Sequence, residues 1–389
     1  MSDLSKRDAA FIITVLLGCV FIAPFGFGLL LLAIAPYLRV RSVLLLGVLL
    51  VIYSFFVINT NKIISNDLFW YSQQYYMNYG SSISDVFADY RAGVQARWGE
   101  PVYHLLSYFL SNISNANYTV FVFVISFSVY LGSLFSIYFF INKSSLNDSQ
   151  KAIIIIFFLF FGIIFTQSLH LIRQYLACTL LLFSVVLSFN NREKLGGVFS
   201  VLAFLTHNST LVVSVVLLCV YLIYKYSSNI KIKIRYSLIF SIFLALLYIS
   251  LFIITGNESR LLIDDGSVSP IVKIIDLLLF IITVIAFNLS KDNSKETELI
   301  YLFYISYCVF LFLMHYSHFL SLRYYFFLDF FRWVPCYILF NYIDLKRNSV
   351  LPVGLFLVAI SVTYFNLRFT TTPFDYQHSF LEYLVYPLF

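Results

Sequence analysis

Three short stretches hold the residues most able to do chemistry. In Ser168-Leu169-His170-Leu171-Ile172-Arg173-Gln174-Tyr175, two apolar runs meet with almost no loop between them. A guanidinium so close to hydrocarbon must be paired or face water, because at mid-membrane it costs several kcal/mol. Its planar fork suits phosphate oxygens two at a time. The plainer reading of Arg173 is a cation that snorkels to the interface. In Thr206-His207-Asn208-Ser209-Thr210 an imidazole follows the short apolar run 197–205, so the chain turns back from a shallow apex. Non-helical backbone at that depth is tolerated where it lines protein or a water-filled cavity. His207 could there hold a hydroxyl or move a proton near neutral pH. It could equally belong to a helix cap formed by Asn208 and Ser209. The third stretch is His315-Tyr316-Ser317-His318 followed by Leu322-Arg323-Tyr324-Tyr325. Its HxxH spacing lacks an acidic third ligand nearby, and a metal site needs three or four ligands in set geometry. Arg323 reads better as a second phosphate ligand.

The acidic candidates are fewer. Asp67 precedes Trp70 and Tyr71, an arrangement in which a carboxylate meets a sugar hydroxyl beside stacking aromatics, or else simply sits in a solvated loop. Glu100 lies in Trp98-Gly99-Glu100-Pro101-Val102-Tyr103-His104. Asp264 and Asp265 read as turn residues. Asp329 and Arg332 are three apart inside an apolar run, so they can pair on one helix face. Intramembrane charges are functional by default, although this pair also fits a structural role.

The elements that must position these residues follow from composition. The chain of 389 residues is 61% hydrophobic and 11% charged, against about 25% charged in soluble domains, and its mean hydropathy is +0.88. A helix needs roughly 20 apolar residues to cross a bilayer, with about 17 as the lower limit. Ser42–Ile58, Phe121–Ile141, Ile153–Thr166, Leu176–Phe189, Leu238–Ile254, Ile271–Leu289, Leu299–Met314, Tyr324–Ile343 and Val350–Phe365 read as spans. The expected fold is an all-α polytopic bundle of about 12–13 spans in a single transmembrane domain over 1–389, as spans of this length predict. Phe11–Tyr37, broken by Pro24, Gly26 and Gly28, predicts a hairpin of two short helices rather than one tilted span or a cleaved signal peptide.

Charge gives the orientation. With that hairpin, 16 of the 25 basic residues fall in short, Lys-rich loops on one side, from Lys6, Arg7, Arg39 and Arg41 to Lys346 and Arg347. The positive-inside rule makes that side cytoplasmic. The remaining cations are Lys62, Arg91, Arg97, Arg173, Arg260, Lys273, Arg323, Arg332 and Arg368, mostly arginine. His104, His170, His207, His315, His318 and His378 come out with them. The net charge of +6 is thus a topology signal, and no nucleic-acid partner is expected. Cations placed against the usual bias suit an anionic ligand, and these histidines travel with arginines rather than carboxylate clusters, which favours phosphate over metal chemistry.

The outer segments are 59–117, 256–270 and 367–389, the first being the largest. Within it Ser84–Gln95 reads as a polar helix. Val102, Leu105, Leu106, Phe109 and Ile113 recur at helical spacing over too short a run to span, which predicts an amphipathic helix in the outer interface. Cys19, Cys178, Cys219, Cys308 and Cys336 sit inside apolar runs without a CxxC pair and behave as small buried hydrophobes. The sequence shows no internal repeat.

The ordered succession Asn66-Asp67…Tyr71, Gly99-Glu100-Pro101-Val102-Tyr103, Ile172-Arg173-Gln174-Tyr175-Leu176-Ala177 and Phe204-Leu205-Thr206-His207-Asn208-Ser209 resembles the EpsG-like branch of the Wzy-type O-antigen and exopolysaccharide polymerases. Leu322-Arg323-Tyr324-Tyr325-Phe326 and Val385-Tyr386-Pro387 are similar in kind. The likeness spans most of the chain; one departure is Val102, where a glycine often follows the Glu-Pro pair. The resemblance implies a GT-C-like, lipid-dependent glycosyltransferase in the bacterial cytoplasmic (inner) membrane, with its site facing the periplasm. It implies transfer of a glycan from undecaprenyl diphosphate to the non-reducing end of another lipid-linked repeat. No cofactor and no nucleotide sugar are expected, and a chain-length regulator is a conceivable partner beside the bilayer. Arg173 and Arg323 would stabilise the departing diphosphate. His207 or Asp67 would orient or deprotonate the acceptor hydroxyl. Gln174, His170, Trp70, Glu100 and Tyr324 would line the substrate.

Two other readings share parts of this pattern. An O-antigen ligase uses the same donor and face but usually carries its long outer segment late in the chain. A lipid-linked oligosaccharide flippase predicts internal repeats and cations along a central path. A membrane acyltransferase would need a convincing His-Asp pair within one helical turn, and the sequence offers none.

Overall fold

A computed structural model describes residues 23–38, 41–64, 66–86, 100–254, 270–290, 294–315, 318–343, 347–371 and 376–385. The chain is a polytopic, all-α membrane protein. Its helices are α1 (Pro24–Leu38), α2 (Arg41–Thr60), α3 (Asn66–Asn78), α4 (Ile83–Val86), α5 (Pro101–Ile113), α6 (Tyr118–Ile141), α7 (Asp148–Phe161), α8 (Ile172–Phe189) and α9 (Glu193–Thr206). They continue as α10 (Thr210–Tyr226), α11 (Ile230–Ile254), α12 (Pro270–Leu289), α13 (Lys295–Met314), α14 (His318–Asp329), α15 (Trp333–Tyr342), α16 (Arg347–Thr371) and α17 (Phe380–Val385). Among the described residues, seven helices are long and apolar enough to cross a membrane, and α1 and α10 are shorter apolar helices. The other expected spans are broken by local chemistry. Ile153–Thr166 stops at Phe161, where Gly162 closes α7, and Tyr324–Ile343 is split into α14 and α15 around Arg332. The expected N-terminal hairpin has its first arm outside the described residues; α1 opens at Pro24, a position proline favours because its missing N–H is an orphan there anyway.

Capping and small residues set the tight contacts. Asn117 accepts from the amides of Thr119 and Val120 to start α6, and Asn147 and Gln150 form a reciprocal capping box at α7. A Cβ on Gly132 would come within 2.8 Å of the Thr179 methyl, so glycine there lets α6 and α8 approach closely. Ser133 and Thr179 then bond across that contact at 3.1 Å. Contacts at one end of the bundle involve the Lys-rich connections: Lys143 bonds Asn190 and Lys225 pairs with Glu193.

At the opposite end an aromatic wedge joins the early and late parts of the chain. Phe165 stacks on Phe55 at 4.4 Å and meets Phe365 edge-on at 5.0 Å. Phe369 stacks on Tyr376 at 4.3 Å, and Phe380 meets Phe25 edge-on at 5.6 Å. Lys62, buried, donates to the Thr166 carbonyl at 2.6 Å and lies 5.1 Å from the Tyr376 ring centre. Tyr376 in turn donates to Asn59 at 3.4 Å. A buried ammonium is tolerated here because a carbonyl and an aromatic face replace its water.

Candidate active site

Helices α3 and α5, of 13 residues each, are too short to span and pack together as a layer of their own. Helix α5 has inverted amphipathicity for a globular helix: Tyr103, His104, Ser107 and Ser111 are buried, whereas Phe109 and Ile113 are exposed. The polar stripe is satisfied by α3. Ser111 donates to the Tyr75 carbonyl at 2.7 Å, Asn78 to Ser107 at 3.2 Å, and the Gln74 amide meets His104 Nδ1 at 2.6 Å. The apolar stripe, with Phe109 and Ile113, is turned away from α3. Tyr75 donates to the Leu110 carbonyl at 3.0 Å, tying down the C-terminal end of α5.

This layer delivers Glu100, immediately before Pro101 at the N-terminus of α5, onto the ends of α8 and α9. One carboxylate oxygen, Oε2, takes a hydrogen bond from Nη1 of Arg173. The other, Oε1, lies 2.8 Å from Nδ1 of His207 and receives the Asn208 amide at 3.4 Å. Arg173 also donates from Nε to the Tyr71 hydroxyl at 3.2 Å, and its guanidinium carbon lies 5.5 Å and 6.0 Å from the ring centres of Tyr71 and Tyr103. Three segments far apart in sequence therefore meet at one carboxylate. The Glu100 side chain is 4% exposed, while those of Arg173 and His207 keep 25% and 22%. The carboxylate is internal, and the two cationic-type groups hold open faces.

His207 closes α9 in an extended conformation, its N–H bonded to the Ala203 carbonyl at 3.0 Å. Thr210 donates to the His207 carbonyl at 2.7 Å, and Ser209 makes no side-chain cap on α10. The cap considered for Ser209 is thus not made, and the imidazole is directed to Glu100.

Electrostatics hold the Glu100 carboxylate ionised. Burial pushes the Glu100 carboxyl up, but the hydrogen bond from His207, the charge of Arg173 and the Asn208 amide outweigh it and hold it at about 2, against 4.5 ordinarily. Burial raises the Tyr71 phenol despite Arg173, so Tyr71 remains a neutral partner. A carboxyl whose folded pKa lies below its unfolded value adds stability above the unfolded value and loses it as pH falls to the folded one. Thermal unfolding of the detergent-solubilised protein should therefore lose stability as pH drops from 4.5 to about 2. Glu100→Gln should flatten that part of the curve; parallel curves would show that the carboxylate is not held ionised.

The structure leaves other expected site residues elsewhere. Asp67 is exposed in the first turn of α3, one turn before Tyr71. Trp70 is 44% exposed and packs edge-on against Phe69. Gln174 is buried next to Arg173 in the chain, and His170 is half-buried in the connection before α8. Tyr324 is 1% exposed, with Tyr248 and Phe310 against its ring, so it is a packing residue in this arrangement. Arg323 belongs to α14, but its side chain lies outside the described residues, as do those of His318 and Arg368 and the whole of Arg91, Arg97, Arg260, Asp264 and Asp265. Most of Ser84–Gln95 is outside them too. Of the other histidines, His315 bonds the Leu311 carbonyl and His378 faces Glu382 on the surface.

A second charge cluster lies inside the bundle. Arg332 grips Asp276 with Nε and Nη2, both at 2.9 Å, and Nη1 lies 2.8 Å from Asp329. Nη1 also donates to the Phe161 carbonyl at 3.1 Å, Nη2 to the Tyr325 hydroxyl at 3.1 Å, and Tyr175 donates to Asp329 at 3.2 Å. The Asp329–Arg332 pair is as the spacing suggests. Asp276 was not singled out from the sequence, although a lone carboxylate in the apolar run of α12 demands a partner. The cluster is nearly closed to solvent, and it ties the end of α7 to α8, α12 and α14.

A model of the EpsG family matches residues 44–385. No curated protein and no solved structure shows a match.

Proposed function

The chain belongs to the EpsG family, and from that membership we propose that it polymerises lipid-linked oligosaccharide repeat units. It takes a glycan from undecaprenyl diphosphate and transfers it to the non-reducing end of another lipid-linked repeat, on the membrane face opposite the Lys-rich loops. The observation that carries this reading is the meeting of Arg173 and His207, from different helices, with an open face on each.

The reaction breaks the bond between the anomeric carbon and the diphosphate oxygen and forms one to the acceptor oxygen. The electron pair of the broken bond stays on the diphosphate, whose negative charge grows toward the transition state. A guanidinium fixed beside that oxygen stabilises the transition state more than the ground state. The acceptor hydroxyl loses its proton as the new bond forms, and His207 is the group placed to receive it. Tyr71 and Tyr103 flank Arg173 and offer ring faces along the same surface.

The test is the surface glycan of a strain deleted for this gene, separated on a gel. A polymerase leaves one repeat unit attached to its carrier or core and removes the ladder above it. Loss of every repeat, with lipid-linked polymer accumulating, would instead make the protein a ligase and sink this reading. A flippase would leave the repeat units on the cytoplasmic side.

A further inference from the structure

We infer that Glu100 is a positioning residue, fixing His207 as the tautomer that carries its proton on Nδ1 and presents the Nε2 lone pair to the acceptor. The inference rests on the polymerase reading for its catalytic meaning, but the geometry behind it is independent of any substrate. Glu100, expected from the sequence to line the substrate, is poorly placed to touch a ligand. Its side chain is 4% exposed, and both of its oxygens are occupied by protein groups.

An ionised carboxylate only accepts hydrogen bonds, so the ring nitrogen 2.8 Å from Oε1 must be the one that carries hydrogen. In the neutral ring that leaves Nε2 as the acceptor. Among the described residues no hydrogen-bond partner meets Nε2, and the side chain keeps 22% of its surface open. The Asn208 amide, adjoining His207 in the chain, donates to the same oxygen at 3.4 Å. That second bond stops the carboxylate from rotating away. Glu100 is itself fixed from below, since it opens α5 and α5 is stitched to α3 through Gln74, Tyr75 and Asn78. The non-spanning layer therefore acts as the jig that orients a base carried at the end of α9. A carboxylate that holds an imidazole in one tautomer and steadies the imidazolium formed on proton uptake is a general device of acid–base sites.

The experiment uses the full chain reconstituted in lipid, with ¹⁵N-labelled histidine and the His207 signals assigned by difference from His207→Gln. Solid-state nitrogen spectra should show Nδ1 as the protonated, pyrrole-type nitrogen and Nε2 as the bare, pyridine-type one. In Glu100→Ala the population should move toward the opposite tautomer. Glu100→Gln should move it the same way, because Arg173 claims the single remaining oxygen at the Oε2 position and turns the amide NH2 toward Nδ1 of His207. Glycan synthesis by Glu100→Ala should fall about 10²-fold, the low end of what a general base supplies. A wild-type spectrum with the proton on Nε2, or an unchanged tautomer in Glu100→Ala, would overturn the positioning role. If the tautomer behaves as stated while His207→Gln still makes full-length glycan, the positioning stands and the polymerase mechanism falls.

Discussion

Arg173→Ala should abolish long glycan chains while the protein still accumulates in the membrane. The loss comes from the developing charge on the departing diphosphate, which a single preorganised donor group stabilises by about 2.7–4 kcal/mol, or roughly 10²–10³ in rate. Arg173→Lys should rescue poorly. Lysine keeps the charge, but one ammonium cannot hold Glu100 and Tyr71 from separate nitrogens and still offer a planar edge to phosphate oxygens. The measurement is the glycan ladder of a complemented deletion strain, read beside size-exclusion profiles of each variant in detergent. Chains of wild-type length from Arg173→Lys would remove the two-point phosphate role. Arg323→Ala is expected to act in the same direction.

A larger effect on the fold is expected from Arg332→Ala. Asp276, Asp329 and Arg332 are 8%, 0% and 6% exposed, so removing the cation leaves two buried carboxylates without a counter-charge. Breaking a buried pair in this way costs about 3–5 kcal/mol, whereas replacing the whole group by neutral side chains of similar volume is often close to neutral. Arg332→Met combined with Asp276→Asn and Asp329→Asn should therefore be more stable than Arg332→Ala alone. Thermal unfolding followed in detergent would decide it. Equal stability of Arg332→Ala and the wild type would mean that water reaches the cluster and that it braces nothing.

Much of the site could be read from residue types, and what escaped was mostly long-range. Arg173 stood out because an arginine at the junction of two apolar runs has to find a partner. His207 stood out because the run before it is short. That both would share Glu100 could not be read, since the partners are 73 and 107 residues apart. The expectation that the histidines travel with arginines rather than carboxylates misses this shared acid. Tyr324 illustrates a different limit. Its neighbourhood in sequence suggests a ligand surface, yet its ring direction is set by Tyr248 and Phe310 from α11 and α13. Span boundaries follow hydropathy except at α7, which Gly162 ends early, and between α14 and α15, where the interruption depends on the need of Arg332 to reach Asp276 on another helix. That need is visible only once the helices are placed.

The segment 376–385 has a consequence for how the protein is made. Asn59 and Tyr376 are 317 residues apart, and at 5–20 residues per second the ribosome needs roughly 15–60 s to cover that interval. Throughout that time, as the later spans enter the bilayer one by one, the Asn59 side-chain oxygen and one face of Lys62 still await their aromatic cover. The nascent chain therefore presents an unfinished patch to whatever insertase or quality-control machinery attends it. A chain stalled just before Tyr376 would be fully threaded yet unlocked, and proteolytic sensitivity near Lys62 would mark the moment of closure.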